Sequence, residues 1–216
     1  MRTLYHQYIC PFSRKVRIVL AEKKLSFKMI VRNFLDKIDN KNTPLLIESN
    51  FVTLSDSIAI SEYLDECHPE PPLLGIDTLT RAEIRRLVGW FDVKFNRDVI
   101  VTLVGEKLFK RQADVKEPPD SRIIRMGCIA IREHLDYIVK LNDQHEWLAG
   151  EFFSLADITA AAHLSCVDYI GDVPWDDFPK AKDWYARIKS RQSFRTLLKD
   201  HLLGFPPSKH YINLDF

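Results

Sequence analysis

Residues 3–31 read TLYHQYICPFSRKVRIVLAEKKLSFKMIV, and this stretch decides how the first half of the chain folds. Residues 3–8 are apolar and aromatic and predict a strand, which the motif Cys10-Pro11-Phe12-Ser13 interrupts. Apolar residues then recur at helical spacing over 13–24, and Phe27–Val31 predicts a second strand. A strand, a helix and a strand within about 30 residues form a right-handed βαβ unit with two parallel strands.

Residues 43–67 predict a hairpin and then a helix. Thr43-Pro44 opens the short apolar run 45–47, and after a turn the run 51–54 returns as the second strand of an antiparallel hairpin. Ser55-Asp56-Ser57 carries the oxygen-bearing side chains that cap helix N-termini, so a helix is predicted from there to about residue 67. The order βαβ followed by ββα is that of a small thioredoxin-like α/β domain.

After a proline-rich segment, the chain predicts only helices. Apolar residues recur at helical spacing from Thr80 and again over 124–138, and Ser154-Leu155-Ala156-Asp157 has the form of a capping box. A last helix is predicted over 178–191. The fold class is therefore an α/β thioredoxin-like domain followed by an all-α helical domain. The predicted units are the thioredoxin-like domain 1–68, a linker 69–79, the helical domain 80–203 and a C-terminal tail 204–216.

Composition narrows the classes of partner. The 31 Lys and Arg residues balance 30 Asp and Glu residues, so no global field favours nucleic acid or anionic lipid. No apolar stretch is long enough to insert into a membrane and no export signal precedes the first strand, so we expect a cytoplasmic protein. Its cysteines are expected to be reduced, and those other than Cys10 to be buried apolar groups. Because the histidines form no ligand cluster with the cysteines, no metal is expected.

Six motifs together make the chain similar to one known family. In the first half they are Cys10-Pro11-Phe12-Ser13, Thr43-Pro44 and LSDSIAI at 54–60; in the second half they are LAG at 148–150, FSLADI at 153–158 and WYARI at 184–188. They resemble motifs of the glutathione S-transferase family, which places a catalytic Ser, Tyr or Cys at the first of them and a cis-proline at the second. The resemblance covers nearly the whole chain and implies the two-domain fold predicted above.

The resemblance also implies a site for glutathione as a co-substrate. Cys10 would attack a glutathionylated or oxidised substrate, or else Cys10 or Ser13 would donate to the sulfur of bound glutathione. Thr43 and a cis Pro44 would present backbone groups to the cysteinyl part of glutathione. Asp56 and Ser57 would meet its γ-glutamyl end through charge-assisted hydrogen bonds.

The same residues have plainer interpretations. The position of Cys10 at a helix N-terminus favours an anion, so we expect a lowered pKa for its thiol, but the residue would also fit a purely packing role. Pro44 would otherwise be an ordinary trans proline at the start of an edge strand. Asp56 and Ser57 would otherwise only cap the following helix, as Asp157 is predicted to do in its own capping box.

The short segment 32–43 weakens the enzyme interpretation. It is polar and carries Lys37 and Lys41, whereas the resembled family uses this stretch for another helix and the loop that holds the glycine end of glutathione. Loss of one charge-assisted contact costs about 1.5–3 kcal/mol, or roughly tenfold to a hundredfold in affinity. Glutathione binding would then be weak or absent.

Five further motifs resemble a bacterial subgroup of the same family that binds the division protein FtsZ. They are PDSR at 119–122, HLDYI at 134–138, GDVPW at 171–175, YARIKSR at 185–191 and HYINLDF at 210–216. This resemblance implies a homodimeric, non-catalytic regulator of constriction. Two functions therefore stand open: a glutathione-dependent transferase or thiol-transferase, and an FtsZ-binding regulator. The apolar tail would either add to a partner's surface as an extended peptide or pack on its own helical domain.

Overall fold

A computed structural model describes residues 1–32, 43–50, 52–113 and 116–214. The strands are β1 (Arg2–His6), β2 (Phe27–Val31), β3 (Leu45–Ile47) and β4 (Thr53–Ser55). The helices are α1 (Pro11–Glu22), α2 (Ser57–Cys67), α3 (Thr78–Gly89), α4 (Trp90–Phe109), α5 (Ser121–Asn142), α6 (Leu155–Ile170), α7 (Pro179–Lys189), α8 (Gln192–Arg195) and α9 (Lys209–Ile212). This order confirms an α/β first half followed by a helical second half.

The strands form one mixed sheet in the order β2-β1-β3-β4. β1 and β2 run parallel, as the βαβ unit requires, and β3 pairs antiparallel with both β1 and β4. Leu4 on β1 pairs directly with Leu46 on β3, and both side chains are fully buried. The predicted hairpin therefore completes the sheet and helps to cover its core.

Helix α1 joins the two halves of the molecule. It begins at Pro11, whose fixed φ and missing N–H suit the first turn of a helix. It packs against α2 in its own half and against α6 and α8 in the helical half. Its predicted apolar residues are buried, but three cationic side chains of the same helix are buried as well, which helical periodicity does not predict. These are Arg14, Lys15 and Arg17.

The buried cations of α1 find carboxylates in the helical half. The ammonium of Lys15 pairs with Asp92 on α4. The guanidinium of Arg17 donates to both carboxylate oxygens of Asp200, at 2.7 and 3.0 Å. A charge buried in protein is tolerated only when it is paired, so these contacts fix the orientation of the sheet domain against the helical domain.

Helices α3 and α4 form one long helix whose second part is wound more widely than an α-helix. At its end, the backbone N–H of Lys110 donates to the carbonyl of Gly105, five residues earlier. The apolar residues that face the core recur every four or five positions, which suits the wider winding. They are Phe91, Phe95, Val99, Leu103 and Leu108. The sequence predicts the helix but not this change of pitch.

Helix α6 lies at the centre of the helical half, and its residues are buried from Leu155 to Tyr169. The predicted capping box is present between Ser154 and Asp157. The Asp157 carboxylate also accepts hydrogen bonds from the N–H of Leu148 and from Nε1 of Trp184, both at 3.0 Å. Burial raises the pKa of this carboxyl group and the hydrogen bonds oppose that rise. The predicted structural role of Asp157 is confirmed.

The end of the described chain packs back on the helical half. Tyr211 is fully buried and its hydroxyl donates to the carbonyl of Leu197 at 2.7 Å. The ammonium of Lys189 donates to the carbonyl of His210 at 2.6 Å. Of the two interpretations of the tail, packing on its own domain therefore holds as far as Tyr211.

Across the ranges that the structure covers, none of the helices combines the length and apolarity of a membrane-crossing segment.

Candidate functional site

The sheet brings three predicted motifs to one edge. The last residues of β1 and β4 and the first residue of β3 lie at the same end of the sheet. The register shows this, because it pairs Tyr5 with Leu45 and Leu45 with Ser55. The predicted site residues that stand next to these strand ends are Cys10, Thr43, Pro44, Asp56 and Ser57. The topology thus places the backbone of all three motifs at the same end of the sheet.

Cys10 stands immediately before α1 and is half-buried. Its carbonyl accepts the first hydrogen bond of the helix, from the N–H of Arg14 at 2.9 Å. Burial raises the pKa of the Cys10 thiol, and hydrogen bonds from Ser13 and Phe12 offset only part of the rise. The expectation of a lowered pKa is therefore wrong, because desolvation outweighs the helix N-terminus. The sulfur is a neutral thiol at neutral pH.

Ser13, the second predicted catalytic residue, is fully buried. Its hydroxyl accepts a hydrogen bond from the backbone N–H of Gln7 at 3.3 Å and also lies within hydrogen-bond reach of the Cys10 thiol. The hydroxyl therefore ties the end of the β1–α1 turn to the helix that follows. This contact gives Ser13 a structural role whether or not a ligand binds beside it.

The Thr43–Pro44 peptide bond is cis, as predicted. Pro44 is buried at the start of β3, and the Thr43 hydroxyl is buried without a hydrogen-bond partner among the residues that the structure describes. Lys37 and Lys41, which the sequence singles out in the neighbouring segment, lie outside the described residues.

Asp56 caps α2 and occupies the left-handed region of backbone conformation, with φ of 75°. Its Oδ1 accepts hydrogen bonds from the N–H groups of Ile58 at 2.8 Å and Ala59 at 3.0 Å. The side chain is exposed, whereas Ser57 beside it is buried. The capping interpretation of Asp56 is thus confirmed, and its strained backbone is of the kind that recurs at binding sites.

A cleft of about 260 Å³ opens between the two halves beside the β1–α1 turn that precedes Cys10. Its walls include Tyr8 and Ile9 from the turn after β1, Phe109 from the end of α4, and Leu202 from the C-terminal segment. The guanidinium of Arg32, another wall residue, lies 4.8 Å from the ring centroid of Tyr5. The sequence pattern does not reveal this cleft, because Phe109 and Leu202 lie about 100 and 200 positions after the β1–α1 turn and only domain packing brings them together.

Arg14 supports the turn that leads to Cys10. Its Nε donates to the carbonyl of Tyr8 at 2.6 Å and its Nη1 donates to the hydroxyl of Ser165 on α6 at 2.7 Å. Its guanidinium also faces the ring of Tyr211, 5.4 Å from the centroid. A charged donor on a backbone carbonyl makes a strong hydrogen bond in a dry environment, so Arg14 fixes the turn in position.

His6, at the end of β1, is a buried neutral histidine. Burial first, and then the positive charge of Arg17, lowers its pKa to about 4. Neither ring nitrogen has a hydrogen-bond partner in the described part of the chain, and the ring contacts Tyr8 edge-on at 5.4 Å. The site therefore rests on a layer of buried polar groups that the sequence pattern does not reveal.

The other cysteines depart from expectation. Cys166 is buried as expected, but Cys67 at the end of α2 and Cys128 on α5 are exposed. The expectation of buried thiols is therefore wrong for these two, because each lies on the outer face of its helix. No group of three or more His, Cys, Asp or Glu residues suited to a metal ion occurs in the described ranges.

Two family models match the chain. The N-terminal domain model of glutathione S-transferases matches residues 4–72, and the C-terminal domain model matches residues 130–192. The chain belongs to the glutathione S-transferase family. The two matches correspond to the sheet domain and to the helices α5 to α7 of the helical domain.

Individual relatives extend the likeness to the full length. FtsZ-localized protein A of Caulobacter vibrioides is 45% identical, with 100% of this chain and 98% of that protein aligned. A solved glutathione S-transferase from Rhodospirillum rubrum is 51% identical, covers 100% of both chains and superposes with a TM-score of 0.93. A glutathione S-transferase of Methylobacillus flagellatus, solved with glutathione bound, is 26% identical and covers 91% of this chain and 98% of its own, with a TM-score of 0.76.

Proposed function

We propose that this chain is a non-catalytic, homodimeric member of the glutathione S-transferase family that acts in the cytoplasm by binding FtsZ. The observation that carries the proposal is the end-to-end similarity to FtsZ-localized protein A. That similarity extends past residue 192, where the C-terminal family model ends, into the segment that packs back on the helical half. A fold shared with enzymes does not by itself carry their activity.

The chemistry of the sheet edge supports the absence of catalysis. Thiol-transfer requires a thiolate, and burial keeps the Cys10 thiol protonated at neutral pH. Ser13 is buried and holds the neighbouring turn through Gln7. Oδ1 of the Asp56 carboxylate accepts the two hydrogen bonds that cap α2. Two of the candidate groups, the Ser13 hydroxyl and the Asp56 carboxylate, are thus engaged in structural contacts.

Co-sedimentation tests FtsZ binding. The purified chain, with its helical content verified by circular dichroism, is centrifuged with polymerised FtsZ and, as the control, with FtsZ kept unpolymerised. We expect saturable pelleting with the polymer and a solution mass of twice 25.2 kDa by light scattering. A folded protein that stays in the supernatant at all polymer concentrations would contradict the proposal.

Glutathione binding is the second candidate function, and the meeting of the three motifs at one sheet edge favours it. In this case Cys10 and Ser13 would face the sulfur of glutathione. Thr43 and Pro44 would contact its cysteinyl part, and Asp56 and Ser57 would contact its γ-glutamyl end. Calorimetric titration with glutathione would then show saturable heat in the micromolar to millimolar range. Turnover as a transferase or thiol-transferase would depend on Cys10 and disappear in Cys10→Ala. Absence of both heat and turnover would remove this candidate.

A further inference from the structure

Two largely exposed segments of the chain, residues 70–79 and 143–154, meet at one backbone hydrogen bond. The backbone N–H of Leu155 donates to the carbonyl of Leu73 at 2.8 Å, which joins the segment before α3 to the loop before α6. Ile76 and Phe152 each lie three residues from this hydrogen bond. A second link is electrostatic, because the pKa of Glu83 on α3 is lowered mainly by its hydrogen bonds with Arg86 and, to a smaller extent, by His145 in the loop. We call the two segments together the linker–loop surface.

The linker–loop surface presents large apolar side chains to solvent. Ile76 is 88% exposed, Leu79 is 81% exposed and Phe152 is 84% exposed. Scattered single apolar residues on a surface are ordinary, but a group on adjoining segments marks an interaction site. Full burial of one such side chain stabilises a complex enough to change affinity by about tenfold or more.

The segments that carry these side chains are fixed in position. Asp77 caps α3 by accepting hydrogen bonds from the N–H groups of Leu79 at 3.0 Å and Thr80 at 2.9 Å. In the loop, Trp147 and Gly150 exchange backbone hydrogen bonds in both directions, at 2.9 and 3.2 Å.

Cation–π contacts with two arginines also fix the same loop in position. The guanidinium of Arg187 lies 4.5 Å from the ring of Trp147, and that of Arg191 lies 4.0 Å from the ring of Phe153. Phe152 therefore projects from a rigid base, so little conformational freedom remains to be lost when a partner covers it.

The linker–loop surface is also acidic. Its two segments contain five carboxylates and no Lys or Arg. Two of the carboxylates pair with cations from α7: Asp143 with Lys180 at 2.5 Å and Glu146 with Arg187 at 3.5 Å. The other three are Glu70, Asp77 and Glu151, of which Glu151 lies 3.8 Å from His145.

The nearest arginines of α3 do not neutralise this acidity. Arg85 forms a two-point contact with Glu62, and Arg86 forms one with Glu83. Arg81, one turn after Asp77, offsets only one of the three carboxylates Glu70, Asp77 and Glu151. An apolar surface with excess negative charge repels anionic lipid and nucleic acid and attracts a cationic, apolar partner.

We propose that the linker–loop surface docks a basic amphipathic segment of a partner protein. Apolar side chains of that segment cover Ile76, Leu79 and Phe152, while its Lys or Arg residues face Glu70 and Glu151. This interaction is separate from the FtsZ binding proposed above.

A designed peptide tests the proposal. The probe is a fluorescently labelled amphipathic helix of about 18 residues with Leu on one face and Lys on the other, and its counterpart carries Glu in place of Lys. By fluorescence anisotropy we expect the Leu–Lys peptide to bind and the Leu–Glu peptide not to bind. The double variants Leu79→Ser/Phe152→Ser and Glu70→Lys/Glu151→Lys should each weaken binding by about tenfold or more.

Matched controls separate this surface from general stickiness. Leu203→Ser removes another fully exposed leucine, and Glu133→Lys reverses an exposed acid on α5. Both should leave peptide binding within about twofold of the wild type. Equal losses in the controls and the double variants, or equal binding of both peptides, would overturn the proposal.

Other occupants give distinct results. Binding of the chain to phosphatidylglycerol vesicles that is lost in Leu79→Ser/Phe152→Ser would assign the surface to lipid and overturn the proposal. A dimer that dissociates in that variant, measured by sedimentation equilibrium, would assign it to a second copy and overturn it too. FtsZ co-sedimentation of the same variant should stay unchanged, so that failure here and failure of FtsZ binding remain distinguishable.

Discussion

The buried face of α1 and its N-terminus make opposite uses of polar groups. On the buried face, Lys15 and Arg17 are ion-paired with carboxylates of the helical half. At the N-terminus, Cys10 is half-buried, and burial keeps its thiol neutral. The charges of this helix therefore hold the two domains together, whereas the Cys10 thiol at its N-terminus contributes little to stability. Four measurements on these groups and on the nearby residues His6 and Asp56 test this contrast.

The largest effect is expected from Asp200→Ala. This change leaves the buried guanidinium of Arg17 without the carboxylate that accepts two of its hydrogen bonds. We expect the free energy of unfolding in urea to fall by about 3–5 kcal/mol. Asp143→Ala, which removes the exposed partner of Lys180, is the control and should cost no more than about 1 kcal/mol. If both variants lost the same free energy of unfolding, the buried ion pair of Arg17 would stabilise the fold no more than an exposed one.

The second effect is a pH dependence that His6 produces. Its pKa is lowered to about 4, from about 6.5 in the unfolded chain, so the unfolded state binds more protons between these values. As far as His6 is concerned, the free energy of unfolding is therefore highest above about pH 7. It falls by about 3 kcal/mol in all as the pH decreases towards 4. Urea unfolding across this range should show a shallower loss in His6→Gln. The exposed His201→Gln should leave the curve unchanged, and a wild-type slope in His6→Gln would contradict the assignment.

A smaller effect is expected at the sheet edge from Asp56→Ala. The substitution removes the acceptor for two N–H groups at the start of α2, which costs about 1 kcal/mol in the free energy of unfolding. Asp56→Asn keeps an acceptor oxygen and should recover most of the loss. A cost as large as that of Asp200→Ala would place this residue among the structural charges of the fold.

The smallest effect on stability is expected from Cys10→Ser, within about 1 kcal/mol. The informative measurement is chemical: mass spectrometry of the wild type after brief iodoacetamide treatment at pH 7. Because burial raises the pKa of Cys10, this thiol should react about tenfold or more slowly than the exposed Cys67 and Cys128. Preferential labelling of Cys10 would show an activated thiolate and favour the glutathione-dependent function.

Much of the candidate site was predictable from local sequence. The cap at Asp56 and the strand-to-helix turn at Cys10 each follow from residue types within a few positions, whereas the cis bond before Pro44 followed from the family resemblance. The state of the Cys10 thiol did not follow, because desolvation depends on the packing around the sulfur. The cleft beside the preceding turn could not be predicted either, because Tyr8 and Leu202 come together only when the domains pack.

The resemblance to a known family implied the two-domain architecture, and the sequence by itself determined the order of the main strands and helices and the caps at Asp56 and Ser154. These properties depend on periodicity and on side chains that act on their own backbone. Only the tertiary structure decided that Arg14, Lys15 and Arg17 are buried, that Cys67 and Cys128 are exposed, and that Tyr211 fills the helical half. The physical reason is that burial, and the pKa values that follow from it, depend on which distant segments cover a residue.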